Sequence, residues 1–351
     1  MQGRVLLMGI TLLLPLSCYG DYTIELSLDN DSDSSEIKSQ SYVFFNPDPS
    51  FGGAASVPVP ATQVTEVESD SNTLRGRLYF GRVSTADLPL AEAGLFSKQG
   101  NASLSIESSD TRSKVTWRPE RTSGFASTPL DASSTGRGTA ISSDVELVTP
   151  GPPFIVGLGL ATGESKTDSD SSGGGVERES DFRATRLQLG FFVNDRATLR
   201  YHYTKQDTEG DAALDRKRTS HDLSVRQLVS LSNGQYLSVW GGYAISTTEF
   251  EGAPSNMRRE QLGVGLSYYP IRALKLSIGY RKSRQVDGVD NDNDEYHYGL
   301  GYFFSDTVAL SLQVSKAESD YAAPDTGTSS TSTSMGELAS EGIRLGVDLR
   351  F

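Results

Sequence analysis

Apolar and polar residues alternate along much of this chain with a period of two, the pattern of β-strands whose two faces meet different surroundings. In the last segment the odd positions from Ile343 to Phe351 are all apolar, and polar or small residues fill the even positions between them. Such a strand fits the wall of a transmembrane β-barrel, and it fits an amphipathic strand of a soluble sandwich almost as well. The arrangement of the other segments distinguishes these two folds.

From residue 150 onward the alternating segments come in pairs joined by tight turns, and long polar stretches separate one pair from the next. Residues 194–196 and 232–235 are two of the turns, and the second contains an Asn-Gly pair typical of a type I′ hairpin. Residues 287–294 and 322–335 are two of the polar stretches. This order predicts an all-β fold, a transmembrane up-and-down antiparallel β-barrel with short periplasmic turns and long extracellular loops.

The first half of the chain is less regular. Residues 22–28 predict a first strand, and we expect large polar loops near 30–72 and 110–137, although residues 41–45 and 114–117 also fit short strands. The segments add up to about 14 strands, an even number that places both chain ends on one side of the barrel. The alternatives are 12 or 16 strands, depending on how these two loops are interpreted.

Aromatic residues collect at the tight-turn end of the predicted strands, several of them as adjacent pairs. A transmembrane barrel carries aromatic girdles where it crosses the membrane boundaries, whereas a soluble core has no reason to favour one class of turn. The predicted girdle at this end consists of Phe154, Phe191, Tyr268, Phe304 and Phe351.

Residues 1–20 have the form of a signal peptide, because Arg4 precedes an apolar run and small residues near Gly20 offer a cleavage site. Cleavage would remove Cys18, the only cysteine, and leave a barrel domain of residues 21–351. A lipoprotein signal with Cys18 as the lipidated residue is the alternative. We expect export through the periplasm to the outer membrane.

The composition of the chain is compatible with the predicted barrel. The chain has 351 residues and a formal net charge of −13, which disfavours nucleic acid as a partner. The mean hydropathy of −0.36 resembles that of a soluble protein. That average is compatible with a barrel, because half of each membrane strand faces a polar lumen.

The polar face of each strand is predicted to point into the lumen, where basic residues are more frequent than in the chain as a whole. The predicted pore-lining residues are Arg75, Arg77, Glu107, Asp144, Glu146, Arg186, Arg200, Arg226, Lys275, Arg281, Arg344, Asp348 and Arg350. Rings of basic side chains lower the barrier for anions, so one expectation is a modest anion preference. The other is that these charges only neutralise one another across the barrel.

No catalytic constellation is predicted. The chain has three histidines, and the contiguous Ser-His-Asp triplet at 220–222 would point its neighbouring side chains to opposite faces of a strand. The acidic positions 290, 292 and 294 have the spacing of a calcium loop, but Glu295 stands where that loop requires glycine. We therefore predict no metal site and no cofactor.

Residues 78–83, Leu-Tyr-Phe-Gly-Arg-Val, and residues 88–96, Leu-Pro-Leu-Ala-Glu-Ala-Gly-Leu-Phe, resemble an early motif of the general porin family of gammaproteobacteria. Elsewhere the similarity is architectural only, and the Pro-rich stretch at 47–60 and the residue Gly94 depart from the family pattern. The resemblance implies passive diffusion through a barrel and carries over no catalytic residue. Similarity to other outer-membrane barrels also implies that Phe351 belongs to a C-terminal signal for the barrel-assembly machinery.

The sequence therefore predicts an outer-membrane porin for small hydrophilic solutes, in contact with outer-membrane lipid and lipopolysaccharide. One alternative is a channel selective for small anions or acidic sugars. Another is a barrel that acts as a lipid-modifying enzyme or a surface receptor. The pattern favours neither a monomer nor a trimer.

Overall fold

The computed structural model describes residues 21–45, 57–119, 130–151, 153–171, 174–210, 215–251, 256–286, 291–322 and 335–351. The predicted signal peptide lies outside these residues. The described chain forms fourteen strands. They are β1 (Asp21–Phe45), β2 (Val57–Ser84), β3 (Asn101–Pro119), β4 (Leu130–Val148), β5 (Phe154–Ser171), β6 (Gly174–Asn194), β7 (Ala197–Gly210), β8 (Arg216–Ser230), β9 (Tyr236–Phe250), β10 (Met257–Ile271), β11 (Leu274–Gln285), β12 (Asn291–Phe303), β13 (Val308–Ala322) and β14 (Met335–Arg350).

The strands form one closed antiparallel barrel in which each strand pairs with its neighbours in sequence and β14 pairs with β1. Glu25 stands opposite Arg350 in that closing pair. The Phe351 carbonyl extends the pairing, since it accepts hydrogen bonds from the backbone nitrogens of Thr23 at 2.7 Å and Ile24 at 3.0 Å. The predicted up-and-down barrel of 14 strands is confirmed, and the alternatives of 12 and 16 strands are wrong.

The alternation of residues along each strand separates an apolar outer surface from a polar lumen. Leu28, Leu158 and Leu310 lie on the outer surface and are 52%, 52% and 45% exposed to solvent. Charged and small residues occupy the positions between them and point inward. Among the described residues, no helix is long and apolar enough to cross a membrane.

The loops predicted near 30–72 and 110–137 are wrong for most of their length. Residues 30–45 continue β1, residues 57–72 belong to β2, and residues 110–119 and 130–137 belong to β3 and β4. The segments 41–45 and 114–117 are strand, as parts of β1 and β3 rather than as strands of their own. Polar side chains misled the prediction, because the hydrogen bonds that hold a strand in a sheet come from the backbone.

These continuations make one side of the barrel taller than the other. Strands β1 to β6 have 18 to 28 residues, whereas β7 to β14 have 12 to 16. A strand needs only about 9–11 residues to cross a membrane, so β1 to β6 extend well beyond it. We call the end to which they extend the long-strand end, and the opposite end the short-turn end.

Inward positions near the long-strand end carry small hydroxyl side chains on β2 to β6, which we call the hydroxyl wall. Neighbouring strands are linked there by hydroxyl pairs. The pairs are Ser69 with Thr111 at 3.3 Å, Ser113 with Ser134 at 2.9 Å, and Ser165 with Ser180 at 2.9 Å. Outward positions on the same strands carry charged residues such as Lys166 and Glu179, which form an ion pair.

The short-turn end has tight connections, as predicted. In the turn between β8 and β9, Asn233 and Gly234 have φ angles of 64° and 74°. Both central residues of a type I′ turn need positive φ, and asparagine and glycine tolerate it best.

One connection differs from the rest, because residues 85–100 between β2 and β3 do not form a tight turn. They form a 3₁₀ turn, Leu90–Glu92, and a one-turn helix α1, Ala93–Phe96, and we call this segment the plug.

Candidate functional site: the lumen and its plug

The local sequence of the plug explains its short helical shape. Pro89 has a φ of −56° and precedes the 3₁₀ turn, where a missing backbone donor costs nothing. Alanine, glutamate and leucine then favour helical conformation over the next residues. The Ser97 hydroxyl donates a hydrogen bond to the Gly94 carbonyl at 3.0 Å, and Lys98 has a φ of 55°, which ends the helix.

Apolar side chains of the plug pack inside the barrel against strands from its whole circumference. Phe96, which is 5% exposed, packs with Ile155 of β5, Phe192 of β6, Leu228 of β8 and Tyr269 of β10. On other sides of the plug, a second cluster joins the plug to β1 and β2, and a third joins it to β12 and β13. The plug thereby closes the short-turn end with a packed hydrophobic core.

Glu92 is the carboxylate that the plug buries in this core, and it is 1% exposed. Its Oε1 atom accepts hydrogen bonds from Arg226 Nη2 at 2.9 Å and from the Tyr269 hydroxyl at 2.5 Å. A buried carboxylate is costly without such partners, so these two strand residues fix where the plug can dock.

Strand side chains also hold the backbone of the plug. Arg350 Nη1 donates to the Leu90 carbonyl at 2.7 Å, and Arg272 Nε donates to the Leu88 carbonyl at 3.0 Å. The Leu90 nitrogen donates in turn to the Arg272 carbonyl at 3.1 Å. The plug thus starts from β2, crosses the lumen and is anchored on the turn between β10 and β11 and on β14.

Gly94 allows the close approach of the plug to β1 and β2. A Cβ atom at this position would lie 2.3 Å from the Tyr79 hydroxyl oxygen and 3.1 Å from the Tyr22 hydroxyl oxygen. The two tyrosine rings pack edge to face, with centroids 5.6 Å apart. The departure from the porin motif at Gly94 therefore has a packing reason.

Above the plug the barrel encloses a polar cavity of about 850 Å³. Its lining includes plug residues Ala91, Gly94 and Leu95, so the plug forms its floor. Seven arginines and six carboxylates line it, which leaves a single excess positive charge. The carboxylates are Glu25, Asp29, Asp31, Glu107, Asp144 and Glu146.

Most of these charges form ion pairs within the wall. The pairs are Arg350 Nη2 with Glu25 at 2.9 Å, Arg77 with Glu25 at 3.7 Å, Arg186 with Asp144 at 3.2 Å, Arg200 with Glu146 at 2.6 Å, and Arg344 with Asp31. Within the described residues, Arg75 and Glu107 form no ion pair or hydrogen bond. The lining is thus nearly neutral, with few charges free for a solute.

Ten of the thirteen predicted pore-lining residues line this cavity: Arg75, Arg77, Glu107, Asp144, Glu146, Arg186, Arg200, Arg226, Arg344 and Arg350. Three others lie elsewhere on the inner wall. Arg281 pairs with Glu295 at 3.1 Å, and Lys275 interacts electrostatically with Glu92 and Asp348. Asp29 and Asp31 line the cavity although we predicted them in a polar loop.

The aromatic pairs divide between the two surfaces of the wall. Phe191 and Phe304 lie outside and are 39% and 63% exposed, while their neighbours Phe192 and Phe303 point inward and are 6% exposed. Of the other predicted girdle residues, Phe154 and Phe351 are exposed and Tyr268 is half-buried. The neighbour of Tyr268, Tyr269, points into the barrel and is buried. One residue of each pair therefore supports the plug instead of facing the membrane.

The described histidines lie beside tyrosine, carboxylate and amide side chains. His221 Nδ1 lies 2.7 Å from the Tyr201 hydroxyl, and His202 Nδ1 lies 3.4 Å from Asp222. Neighbours in the Ser-His-Asp triplet thus point to opposite faces, as the strand geometry predicted. Within the described residues, no histidine has a hydrogen bond to a serine hydroxyl.

Sequence reasoning missed the plug, although two signals for it are present. The motif at 88–96 places one glutamate among apolar and small residues, and this composition is unusual for an exposed turn. The adjacent aromatic pairs supply one more large side chain per strand than an outer girdle needs. Together these signals indicate a buried segment at the short-turn end.

Comparison with solved structures finds β-barrels of bacterial outer membranes. Omp33 of Acinetobacter baumannii is 13% identical, with a TM-score of 0.44, over 94% of this chain and 99% of that one. The toluene transporter TodX of P. putida is 13% identical, with a TM-score of 0.38, over 94% and 90%. The translocator domain of the autotransporter NalP from Neisseria meningitidis is 10% identical, with a TM-score of 0.37, over 94% and 88%.

These scores describe a similar overall architecture and carry no argument about activity. No family model and no curated protein sequence matches the chain. The resemblance of residues 78–96 to general porins therefore remains a prediction.

Proposed function

We propose that this protein is an outer-membrane channel for small hydrophilic solutes and that the plug is its gate. The observation that supports this most directly is the polar cavity of about 850 Å³ that ends on the plug. Short turns face the periplasm in bacterial barrels, so the gate would close the periplasmic exit.

The way in which the plug is held favours movement over permanent closure. Side-chain packing and a few hydrogen bonds attach it, and it shares no strand pairing with the wall. Displacing it would leave the barrel ladders intact, and segments with few backbone hydrogen bonds to the rest of a protein open at a lower free-energy cost than global unfolding.

The lining indicates weak selectivity. With seven arginines against six carboxylates, and most of them paired, the excess charge favours anions only slightly. A channel specialised for acidic sugars would need arginines free of protein carboxylates, and here five of the seven are paired with wall residues or with Glu92 at short range. Weak anion preference is therefore the form of selectivity that we propose.

Planar-bilayer recordings test the gate. A variant in which a short Asn-Gly turn replaces residues 86–98 should conduct continuously, whereas the native chain should show mostly closed channels. A change of Glu179 to Gln, in an exposed ion pair on the outer surface, is the control for a lost carboxylate. Heat-dependent gel migration confirms that each barrel is folded.

Two results would contradict the proposal. If the plug-free barrel conducts no better than the native chain, then the plug is not the gate. If neither barrel conducts, the channel function itself is wrong. The reversal potential under a potassium chloride gradient should show a small preference for chloride in the plug-free variant.

A further inference from the structure

Trp240 on β9 occupies a part of the lumen that the plug does not fill. Its neighbour Val239 is 43% exposed on the outer surface, so Trp240 points inward. In the barrel it stands opposite Gly265 of β10, which stands opposite Gly279 of β11. The Trp240 side chain therefore lies beside two strands that have glycine at the positions in register with it.

The indole ring lies flat over three glycines, which we call the glycine platform. A Cβ atom on Gly265 would lie 2.2 Å from the indole Nε1 atom, and one on Gly263 would lie 3.0 Å from Cζ3. A Cβ atom on Gly279 would lie 3.3 Å from Cζ2. The ring thus occupies the space that these inward glycines leave.

The ring is not enclosed by the plug. Trp240 is only half-buried and belongs to none of the three buried clusters around the plug. Its Nε1 donor has no hydrogen bond within the described residues and is not among their buried unpartnered atoms. A tryptophan in a polar lumen therefore presents a flat aromatic face and a free donor.

Polar groups border this face without adding net charge. His297 stands opposite Gly279, and Gln313 Nε2 lies 3.3 Å from His297 Nδ1. Arg281 and Glu295 are one inward position further along and pair with each other at 3.1 Å. These side chains offer donors and acceptors on the strands beside the ring, and the charges of Arg281 and Glu295 balance.

We propose that Trp240 on its glycine platform is a binding site for the pyranose ring of a small neutral saccharide. The apolar C–H face of a pyranose would stack on the indole, and its hydroxyl groups would reach the Trp240 donor and the polar residues around it. The inference deepens the proposed channel function by naming a class of solute. Its test measures binding and does not need ion flow.

Tryptophan fluorescence gives a direct measurement, because the chain has two tryptophans. A Trp117→Phe variant of the full chain, in detergent micelles, leaves Trp240 as the only indole. Maltose should change its emission in a saturable way, with half-saturation at about 1 mM or above, as expected for a small exposed site. Mannitol, which has hydroxyl groups but no ring, should produce no saturable change.

Matched glycine changes test the platform in that background. Gly265→Ala places a methyl group under the ring and should abolish the maltose response. Gly241→Ala on β9 is the control, because the nearest atom to its Cβ would be 3.8 Å away, and it should respond like its parent. A folded Gly265→Ala variant that still responds would overturn the proposal.

A second measurement covers the case in which Gly265→Ala does not fold. Saturation-transfer NMR should show transfer from the native barrel to maltose and its loss in Trp240→Ala. Transfer that persists in Trp240→Ala, or an equal response to mannitol, contradicts the site. Conductance without maltose binding would leave the channel proposal intact and remove this one.

Discussion

At the short-turn end, the inward positions of the strands carry large side chains such as Phe192 and Tyr269, which are 6% and 0% exposed. Toward the long-strand end, the inward positions of β2 to β6 carry serine and threonine, and hydroxyl pairs such as Ser113 with Ser134 link the strands. Both ends have the same backbone ladder and the same alternation of faces. The inward side chains, together with the plug that they hold, therefore distinguish the packed end of the lumen from the end that keeps a cavity.

The comparison also separates two kinds of stability. The wall depends on backbone pairing that continues from one end to the other, whereas the plug depends on side-chain packing and one buried carboxylate. Changes in plug contacts should therefore alter gating and leave the barrel folded.

Phe96→Ala should have the largest effect. Truncating a buried phenylalanine costs about 3–5 kcal/mol, and here the cost falls on plug docking because Phe96 has no part in the barrel ladder. Since 1.4 kcal/mol is a factor of ten, the ratio of closed to open channels should fall about a hundredfold or more. Bilayer recordings measure this ratio.

Ser134→Ala, in the hydroxyl wall, is the control for Phe96→Ala. It removes one partially buried hydroxyl pair and should leave the open fraction and the thermal unfolding of the barrel unchanged. Phe96→Ala could instead unfold the barrel and leave no closed state to measure. In that case the folding of the wall depends on the plug, and the two kinds of stability are not separate.

Glu92→Gln should have the next largest effect. The amide keeps the shape of the side chain but loses the charge that faces Arg226, and hydrogen bonds to charged groups contribute about 1.5–3 kcal/mol. We expect about a tenfold or larger rise in the open fraction in bilayers. Glu179→Gln removes a carboxylate from an exposed pair with Lys166 and should have no effect. Equal effects of the two changes would contradict the role of Glu92.

Much of the wall could be predicted from sequence because each strand carries its own pattern. The apolar row from Ile343 to Phe351 predicted which face of β14 points outward, and its pairing with β1 followed from closure of the barrel. The polar extensions of β1 to β4 could not be predicted in this way. Their hydrogen bonds are made by the backbone, and the polar side chains of residues 30–40 gave no strand prediction.

The contacts of the plug could not be predicted, because its partners come together only after closure of the barrel. Phe96 meets Phe192, Leu228 and Tyr269, which belong to three different strands. The pairing of the lumen charges has the same origin, since Arg350 and Glu25 are 325 positions apart. A strand pattern predicts that such residues point inward, but it does not predict which of them meet.

Gly94→Ala should give a smaller effect than the first two changes. The new methyl group would lie 2.3 Å from the Tyr79 hydroxyl, and overpacking of this kind costs about 1–3 kcal/mol. The plug should dock less well, and the open fraction should rise by up to about tenfold. Gly136→Ala is the matched control, because its Cβ would lie 3.6 Å from the nearest atom. An unchanged open fraction in a folded Gly94→Ala variant would show that the two tyrosines move aside freely.

The smallest effect should come from pH, through the ion pair between Lys98 at the end of the plug and Asp195 in the turn between β6 and β7. The Lys98 ammonium holds the pKa of the Asp195 carboxyl below its ordinary value of 3.8. A carboxyl whose pKa is lowered in the docked state stabilises that state at any pH above its ordinary pKa. This stabilisation is lost as the pH falls through the lowered pKa. The open fraction attributable to this pair should therefore stay constant from neutral pH down to about 3.8 and rise below it.

The difference in open fraction between the native chain and Asp195→Asn isolates the contribution of this pair from that of other carboxyl groups that titrate at acidic pH. The variant should show a slightly raised open fraction at neutral pH, and the difference should vanish at the acidic end. Because Asp195 is 88% exposed, salt should also reduce the difference. Asp306→Asn, in the turn between β12 and β13, is the control and should follow the native curve. A difference that grows as pH falls has the wrong sign for a lowered pKa and would exclude Asp195 as a support of the closed plug.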